Sequence, residues 1–290
     1  MSNRSLEINY INYEDDKYPD TLRSIKNPPQ RLYYEGNIDL LDCSSIAVIG
    51  SRDITEYGKN IEKQFVKEIA LRDIVIVSGM AVGADRIAHE ETLNNGGKTI
   101  AVMGTGFNHI YPVENVDIYN RILDENGLVI TEYSEDTKFK SSNFPSRNRI
   151  ISGISKAILV VEAEYRSGTS ITAKYGWEQG KKVYAIPGRL DNKNGVGVNR
   201  LIKDGAIMSI CAEDILKDFE EFKYRKKRKV FQNSRVKKEY RKIYELLSDI
   251  PISIEEISIK TNNTIKCTSK LLTLMEMEDL VTNVLGVRLC

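Results

Sequence analysis

Six short runs of near-continuous aliphatic and β-branched residues do most to decide what this chain can become. They are IAVIG (46–50), IVIVSG (74–79), KTIAVMG (98–104), GLVIT (127–131), KAILVVEA (156–163) and KVYAIPG (182–188). A strand that is apolar on both faces must bury both, and a parallel sheet covered by helices on each side does that. The intervening segments supply those helices. In YGKNIEKQFVKEIALRD, for example, Ile61, Phe65, Val66 and Ile69 fall on one side at helical spacing. This alternation predicts an α/β fold, a doubly wound, mostly parallel Rossmann-like sheet.

With 290 residues, 41% of them hydrophobic, the chain can bury one large core and a small second one. The lead-in, 1–45, carries Pro and Gly punctuation and is expected as an irregular segment packed on the sheet's edge. The α/β domain follows over 46–222, then a basic linker over 223–239 and a small unit over 240–290. That last unit reads as helices at 240–248, 253–262 and 264–278, followed by a hairpin around Gly286. Leu246, Ile257, Leu271, Leu274 and Leu280 are its expected core. Three helices and a hairpin predict a winged helix, for nucleic acid or for protein docking.

No apolar run approaches the roughly 20 residues of a membrane span, and the first residues have no signal-peptide core, so a cytoplasmic protein without a membrane partner is expected. Cys43, Cys211, Cys267 and Cys290 form no C-x-x-C pair and predict neither a metal site nor a disulfide framework. Charge is distributed unevenly. Between Lys223 and Lys242 eleven Lys or Arg face one acidic residue, Glu239; this +10 against a chain total of +1 leaves −9 for the remainder. Lys226, Lys227, Arg228 and Lys229 form the densest part of a strap that is either a solvated linker or a phosphate-binding segment.

In an open parallel sheet, ligands bind beyond the carboxyl ends of the strands. Several strands here end in small-residue turns: GSR (Gly50, Ser51, Arg52), SGMAVGAD with Ser78, Gly79 and Gly83, GTG (104–106) and RSGTS with Ser167 and Gly168. Such turns let backbone amides and helix N-termini approach an anion. Neither G-x-G-x-x-G after the first strand nor a Walker motif is present, so no nucleotide cofactor is expected. FPSRNR opens a helix beside the same turns and places Arg147, Asn148 and Arg149 there. Residues two apart do not share a helix face, so the two arginines should serve different purposes. Either alone could tie the loop to Glu132 or Glu162; a structural tie is not expected to account for both. His89 has no nucleophile or metal ligand paired with it and is expected to be a hydrogen-bonded helix histidine rather than a catalytic one.

Taken in order, YPDTLRSIKNPPQRLYYEGN, VIGSR, SGMAVGADRIAHEETL, GTGFNHIYPVEN, FPSRNRIISGIS, VVEAEYRSGTSITA, KKVYAIPG and GVGVNRLIKDGA resemble the DprA/Smf family, DNA-processing protein A of bacteria, over roughly residues 18–218. The tail LLTLMEMEDLVTNVLGVRL looks more loosely like that family's winged helix. The resemblance implies a non-enzymatic protein that binds single-stranded DNA without sequence preference. It also implies that the strand is passed to RecA recombinase in natural transformation, by a homodimer joined through its Rossmann-like domains. It assigns DNA contact to Arg52, to Phe144 as a base-stacking face, to Arg147, Asn148 and Arg149, and to Ser167 and Gly168. Lys174, in the following helix, is placed to meet the strand. Three departures stand out: the helical domain often found before the family's lead-in is not expected here, with about 17 residues ahead of Tyr18; Val82 and Ala84 stand where Arg and Ile are common; and His109 stands where Asp is usual. The alternatives are a nucleotide-processing hydrolase and a nucleotide sensor. Against the hydrolase, RSGTSITAKYG offers no carboxylate between Arg166 and Glu178.

Overall fold

The computed structural model describes residues 9–219, 237, 240–247, 252–277, 280–282 and 288–289. Its elements begin with β1 (Asn9–Asn12), α1 (Asp20–Arg23), β2 (Arg31–Gly36), β3 (Ser45–Ile49) and α2 (Glu56–Ala70). Then come β4 (Val75–Ser78), α3 (Ala84–Asn94), β5 (Thr99–Val102), α4 (Val116–Asp124), β6 (Leu128–Thr131) and α5 (Asn143–Ile154). The α/β part closes with β7 (Ala157–Val160), α6 (Gly168–Glu178), β8 (Lys182–Ala185), α7 (Lys193–Lys203), β9 (Ile207–Met208) and α8 (Glu213–Leu216).

The six apolar runs become β3 to β8, and all six are parallel to one another within a nine-stranded sheet of order β1-β2-β6-β5-β4-β3-β7-β8-β9. Their double-faced burial is direct. In β3, Ala47 and Ile49 join the cluster beneath α5, while Ile46 and Val48 join the cluster beneath α2 and α3. The lead-in is more regular than its punctuation suggests: β1 pairs with β2 and β2 with β6, both antiparallel, and extend the sheet. Tyr10 and Tyr33 face each other there with Arg31 over both rings, a cross-strand contact that propensity alone does not reveal.

The chain separates into two compact units, 1–226 and 227–290. The second contains α9 (Arg241–Leu246), α10 (Ile254–Thr261), α11 (Ile265–Met277) and the antiparallel pair β10 (Val281–Thr282) and β11 (Arg288–Leu289). Ser253 caps α10 by accepting from the Glu256 amide at 3.1 Å, and Asn262 ends it at φ 56°. Tyr240, Ile243, Leu247, Ile257, Leu272, Met275 and Val281 form its core. Leu246 and Leu274, expected inside, are 36% exposed instead, because burial falls to Ile243 and Leu247 in and just after α9 and to Leu272 and Met275 on α11. Apart from Lys237, the basic strap lies outside the described residues, as does Gly286.

Candidate nucleic-acid interface

The chain order turns back at β3: β4, β5 and β6 are laid down on one side of it and β7 and β8 on the other. Connections leaving in opposite directions open a crevice at the strands' carboxyl ends. A cleft of about 470 Å³ lies there, lined by Gly50, Ser51 and Arg52 after β3, by Ala81 and Asp85 after β4, by Phe144, Arg147 and Asn148 of α5, and by Ser167 and Gly168 after β7.

Its floor is fixed by backbone contacts. Gly83, at φ 79°, brings the start of α3 against the first turn; a Cβ there would lie 2.5 Å from both the Ser51 and Arg52 carbonyl oxygens. The Ala84 amide donates to the Ser51 carbonyl at 3.1 Å, so this amide of α3 is spent on packing rather than left for an anion. Ser78 is buried and donates to the Val48 carbonyl at 2.7 Å, while the Gly79 carbonyl accepts from Arg147. Ser78, Gly79 and Gly83, proposed from sequence as anion contacts, therefore shape the floor from beneath.

Arg147 is 3% exposed. Its Nη1 donates to the Gly79 carbonyl at 2.7 Å and to that of Val102, and its Nε to Asn148 Oδ1 at 3.1 Å. Burial, with Arg52 nearby, lowers its pKa to about 10 even though Asp85 opposes the shift. Arg149 grips Glu132 in a bidentate pair, both contacts at 2.7 Å, and donates to the Asn27 and Ser146 carbonyls. Both arginines of FPSRNR thus hold the fold, contrary to the expectation that a structural tie would claim one at most. The sequence hid this because Arg147 is satisfied by two strand-end carbonyls rather than by a carboxylate.

The lip presents what remains free. Arg52 is exposed, its guanidinium 6.0 Å from the centroid of the Phe144 ring. Phe144 itself is only 8% exposed, packed between Phe139 at 5.3 Å and Tyr111 at 5.6 Å. The open aromatic surface belongs to Phe139 and Tyr111, 51% and 40% exposed and 4.4 Å apart, which the sequence reading missed. Its signal was the interleaved KFK at 138–140. Across the cleft, Ser167 caps α6 by accepting from the Ser170 amide at 3.4 Å, and Gly168 lies exposed at the helix's first turn. Asn148 Nδ2 donates to the Gly168 carbonyl at 3.3 Å and joins α5 to α6. Lys174 does not line the cleft; it is exposed, 3.7 Å from Glu178.

Carboxylates near the cleft are engaged as well. Lys193 neutralises Glu164 at 2.5 Å and approaches Asp53 at 3.6 Å. Glu162, 2% exposed, accepts from the Thr55 amide and hydroxyl at 2.9 and 2.6 Å and from Asn194 at 3.3 Å. His89 is fully buried with Nδ1 2.7 Å from the Thr99 hydroxyl, which itself donates to the Ile76 carbonyl. Nδ1 must therefore carry the proton, and burial lowers the pKa to about 3. His89 is a hydrogen-bonded core histidine. Among the described residues no cluster of metal-ligating side chains occurs, and no helix is long and apolar enough to cross a membrane.

Residues 9–220 match the sequence profile of the family described as DNA recombination-mediator protein A. The DNA processing protein DprA of Streptococcus pneumoniae is 42% identical over 207 residues, which is 71% of this chain and 72% of that protein. DprA of Bacillus subtilis is 38% identical over 219 residues, 75% of this chain and 73% of the other. The X-ray structure of the pneumococcal protein superposes with a TM-score of 0.69 at 38% identity, covering 75% of each chain. DNA processing protein A of Helicobacter pylori, whose structure describes a single-stranded DNA binding mode, gives 0.68 at 28% identity over 76% of this chain and 99% of that one. With a fold and motif order shared across this span, the chain belongs to the DNA recombination-mediator protein A family, the DprA/Smf proteins of DNA processing.

Proposed function

We propose that the cleft binds single-stranded DNA without sequence preference and that the protein acts as a strand carrier rather than an enzyme. The observation that carries this reading is the lip: an exposed arginine without an ion pair among the described residues, beside exposed aromatic rings and facing the first turn of a capped helix. Arg52 and the amides at Gly168 and Thr169 supply charge and donors to a phosphate, and Phe139 and Tyr111 supply faces on which any base stacks. Phe144 and Asn148 support this surface, and Lys174 adds charge beyond it.

The resident partner downstream is RecA recombinase, and the working form is a homodimer in the cytoplasm; the Helicobacter protein's single-strand binding and the family's role in recombination support this reading. The 240–290 unit serves as a winged-helix-like module, and Lys226, Lys227, Arg228 and Lys229 add salt-sensitive affinity through counterion release. The test is a titration of the full chain with single-stranded oligonucleotide, duplex and free nucleotides at several salt concentrations. Single strands should bind far more tightly than duplex at moderate salt. Equal affinity for both removes the proposal.

A further inference from the structure

Between two cleft-lining residues, Glu164 and Ser167, the chain makes a tight turn closed by the Ser167 amide donating to the Glu164 carbonyl at 3.3 Å. Tyr165 and Arg166 are its central pair, exposed between two residues that line the cleft. Arg166 has φ 57°, a conformation that turns of this shape usually give to Gly or Asn. A long cationic side chain is therefore kept here despite a steric cost. Tyr165 is 51% exposed, and its ring carries two guanidinium groups: Arg166 at 5.1 Å and Arg200, on α7, at 4.5 Å from the centroid.

The placement of Arg200 follows from Gly197. A Cβ at that position would lie 1.9 Å from the Ala163 carbonyl oxygen and 2.7 Å from the Tyr165 amide, so only glycine lets α7 rest on this backbone. Arg200 follows three residues later, almost one helical turn. Neither Arg166 nor Arg200 forms an ion pair among the described residues. The nearby acids, Glu164 and Asp53, are taken up by Lys193 at 2.5 and 3.6 Å. A guanidinium held by a ring, unlike one held by a carboxylate, keeps its net charge and its N–H donors. The pair is a preorganised cationic clamp, continuous with the cleft's mouth.

We propose that Tyr165, Arg166 and Arg200 form a second phosphate subsite, outside the cleft, which takes the backbone of a DNA single strand where it leaves the site. This rests on the single-strand reading of the cleft and extends its path onto α7. The strand contributes phosphates to the two guanidinium groups, and Tyr165 is a positioning residue that holds them.

The experiment titrates the full chain with oligothymidylate of about 4 and about 15 nucleotides, bracketing the site sizes of single-strand binders. Wild type, Arg200→Gln, Tyr165→Phe and Tyr165→Ala are compared at several salt concentrations. The short oligonucleotide should bind all four equally. The long one should bind Arg200→Gln severalfold more weakly, with a salt slope reduced by about 0.7 for one lost contact on a single strand. Tyr165→Phe should match wild type, and Tyr165→Ala should lose affinity although no charge is removed. Unchanged long-strand affinity and slope in Arg200→Gln and Tyr165→Ala overturns the subsite, leaves the cleft reading standing and turns the clamp over to an acidic protein partner. Equal losses on both lengths also overturn it, since the residues would then act within the cleft. A wild type that binds neither length removes the cleft reading and the subsite together. Should Tyr165→Ala fail to fold, exposed Arg200→Gln still decides.

Discussion

Arg147 and Arg52 belong to the same cleft at two depths, and their surroundings differ more than their chemistry. Arg147 sits in the floor, 3% exposed, with its donors spent on the Gly79 and Val102 carbonyls. Arg52 stands on the lip, exposed, beside the Phe144 ring. A buried guanidinium that joins strand ends is a strut; an exposed one without an ion pair is a stored charge. Residue type does not distinguish the two, and a motif that places both near one pocket does not either. The partner atoms do, since carbonyl oxygens belonging to the sheet bind an arginine to the fold whatever ligand arrives.

The largest effect expected from this contrast comes from Arg147→Ala. It leaves two buried carbonyls without their donor and opens a void, which together cost about 3 kcal/mol or more of stability. Chemical denaturation of the full chain measures it. Arg52→Ala is its counterpart: an unchanged denaturation midpoint with at least a tenfold loss of single-strand affinity, which corresponds to about 1.4 kcal/mol. An Arg147→Ala protein that is as stable as wild type yet binds no DNA would break the distinction between floor and lip.

How far this contrast was legible from sequence depends on which partner each residue met. The sheet was readable because each strand's neighbours are its own periodic apolar residues, as in β3, where Ile46, Ala47, Val48 and Ile49 are all buried. The lead-in strands were not, because β1 and β2 owe their pairing to contacts with β6 and to rings such as Tyr10 and Tyr33. GSR and RSGTS marked two of the turns that line the cleft. FPSRNR was misleading for Arg147, whose partners lie 68 and 45 residues away, whereas Glu132, the partner of Arg149, was among the ties the sequence offered. Phe139 went unremarked because a lone Phe between lysines carries no periodicity.

A subtler effect lies one layer deeper. Glu62 in α2 is fully buried, and neither carboxyl oxygen has a hydrogen-bond partner. Burial first, then the negative charges of Asp85 and Glu162, push its pKa well above the ordinary carboxyl value. The folded protein therefore keeps a proton that the unfolded chain releases above about pH 4.3. Stability from this group is complete below that pH and falls as pH rises toward the folded pKa, by up to about 1.4 kcal/mol per unit. His89 has the opposite sign: with its pKa lowered to about 3, its contribution is complete above about pH 6.5 and is lost on acidification. Glu62→Gln removes only the first dependence. Denaturation at pH 4, 6 and 8 should show the variant gaining on wild type at each step upward. Parallel curves would mean that Glu62 is ionised or solvated, and that the floor is wetter than its packing indicates.

The smallest effect is expected at Lys174. It lies on α6 six residues beyond Gly168, roughly 9 Å along the helix, and its ammonium is 3.7 Å from Glu178 with the side chain 72% exposed. Such a pair contributes little to stability and does not fix the side chain. What remains is one mobile charge able to meet one phosphate of a strand already seated between Arg52 and Gly168. Lys174→Ala should leave the denaturation midpoint unchanged, weaken single-strand binding by about twofold to fivefold at moderate salt, and lower the salt slope by about 0.7. The loss should fade as salt rises, whereas that of Arg52→Ala should persist, because Arg52 also stands beside the rings on which a base can stack. If Lys174→Ala costs as much as Arg52→Ala, the strand runs along the exposed face of α6, and the lip is a secondary contact.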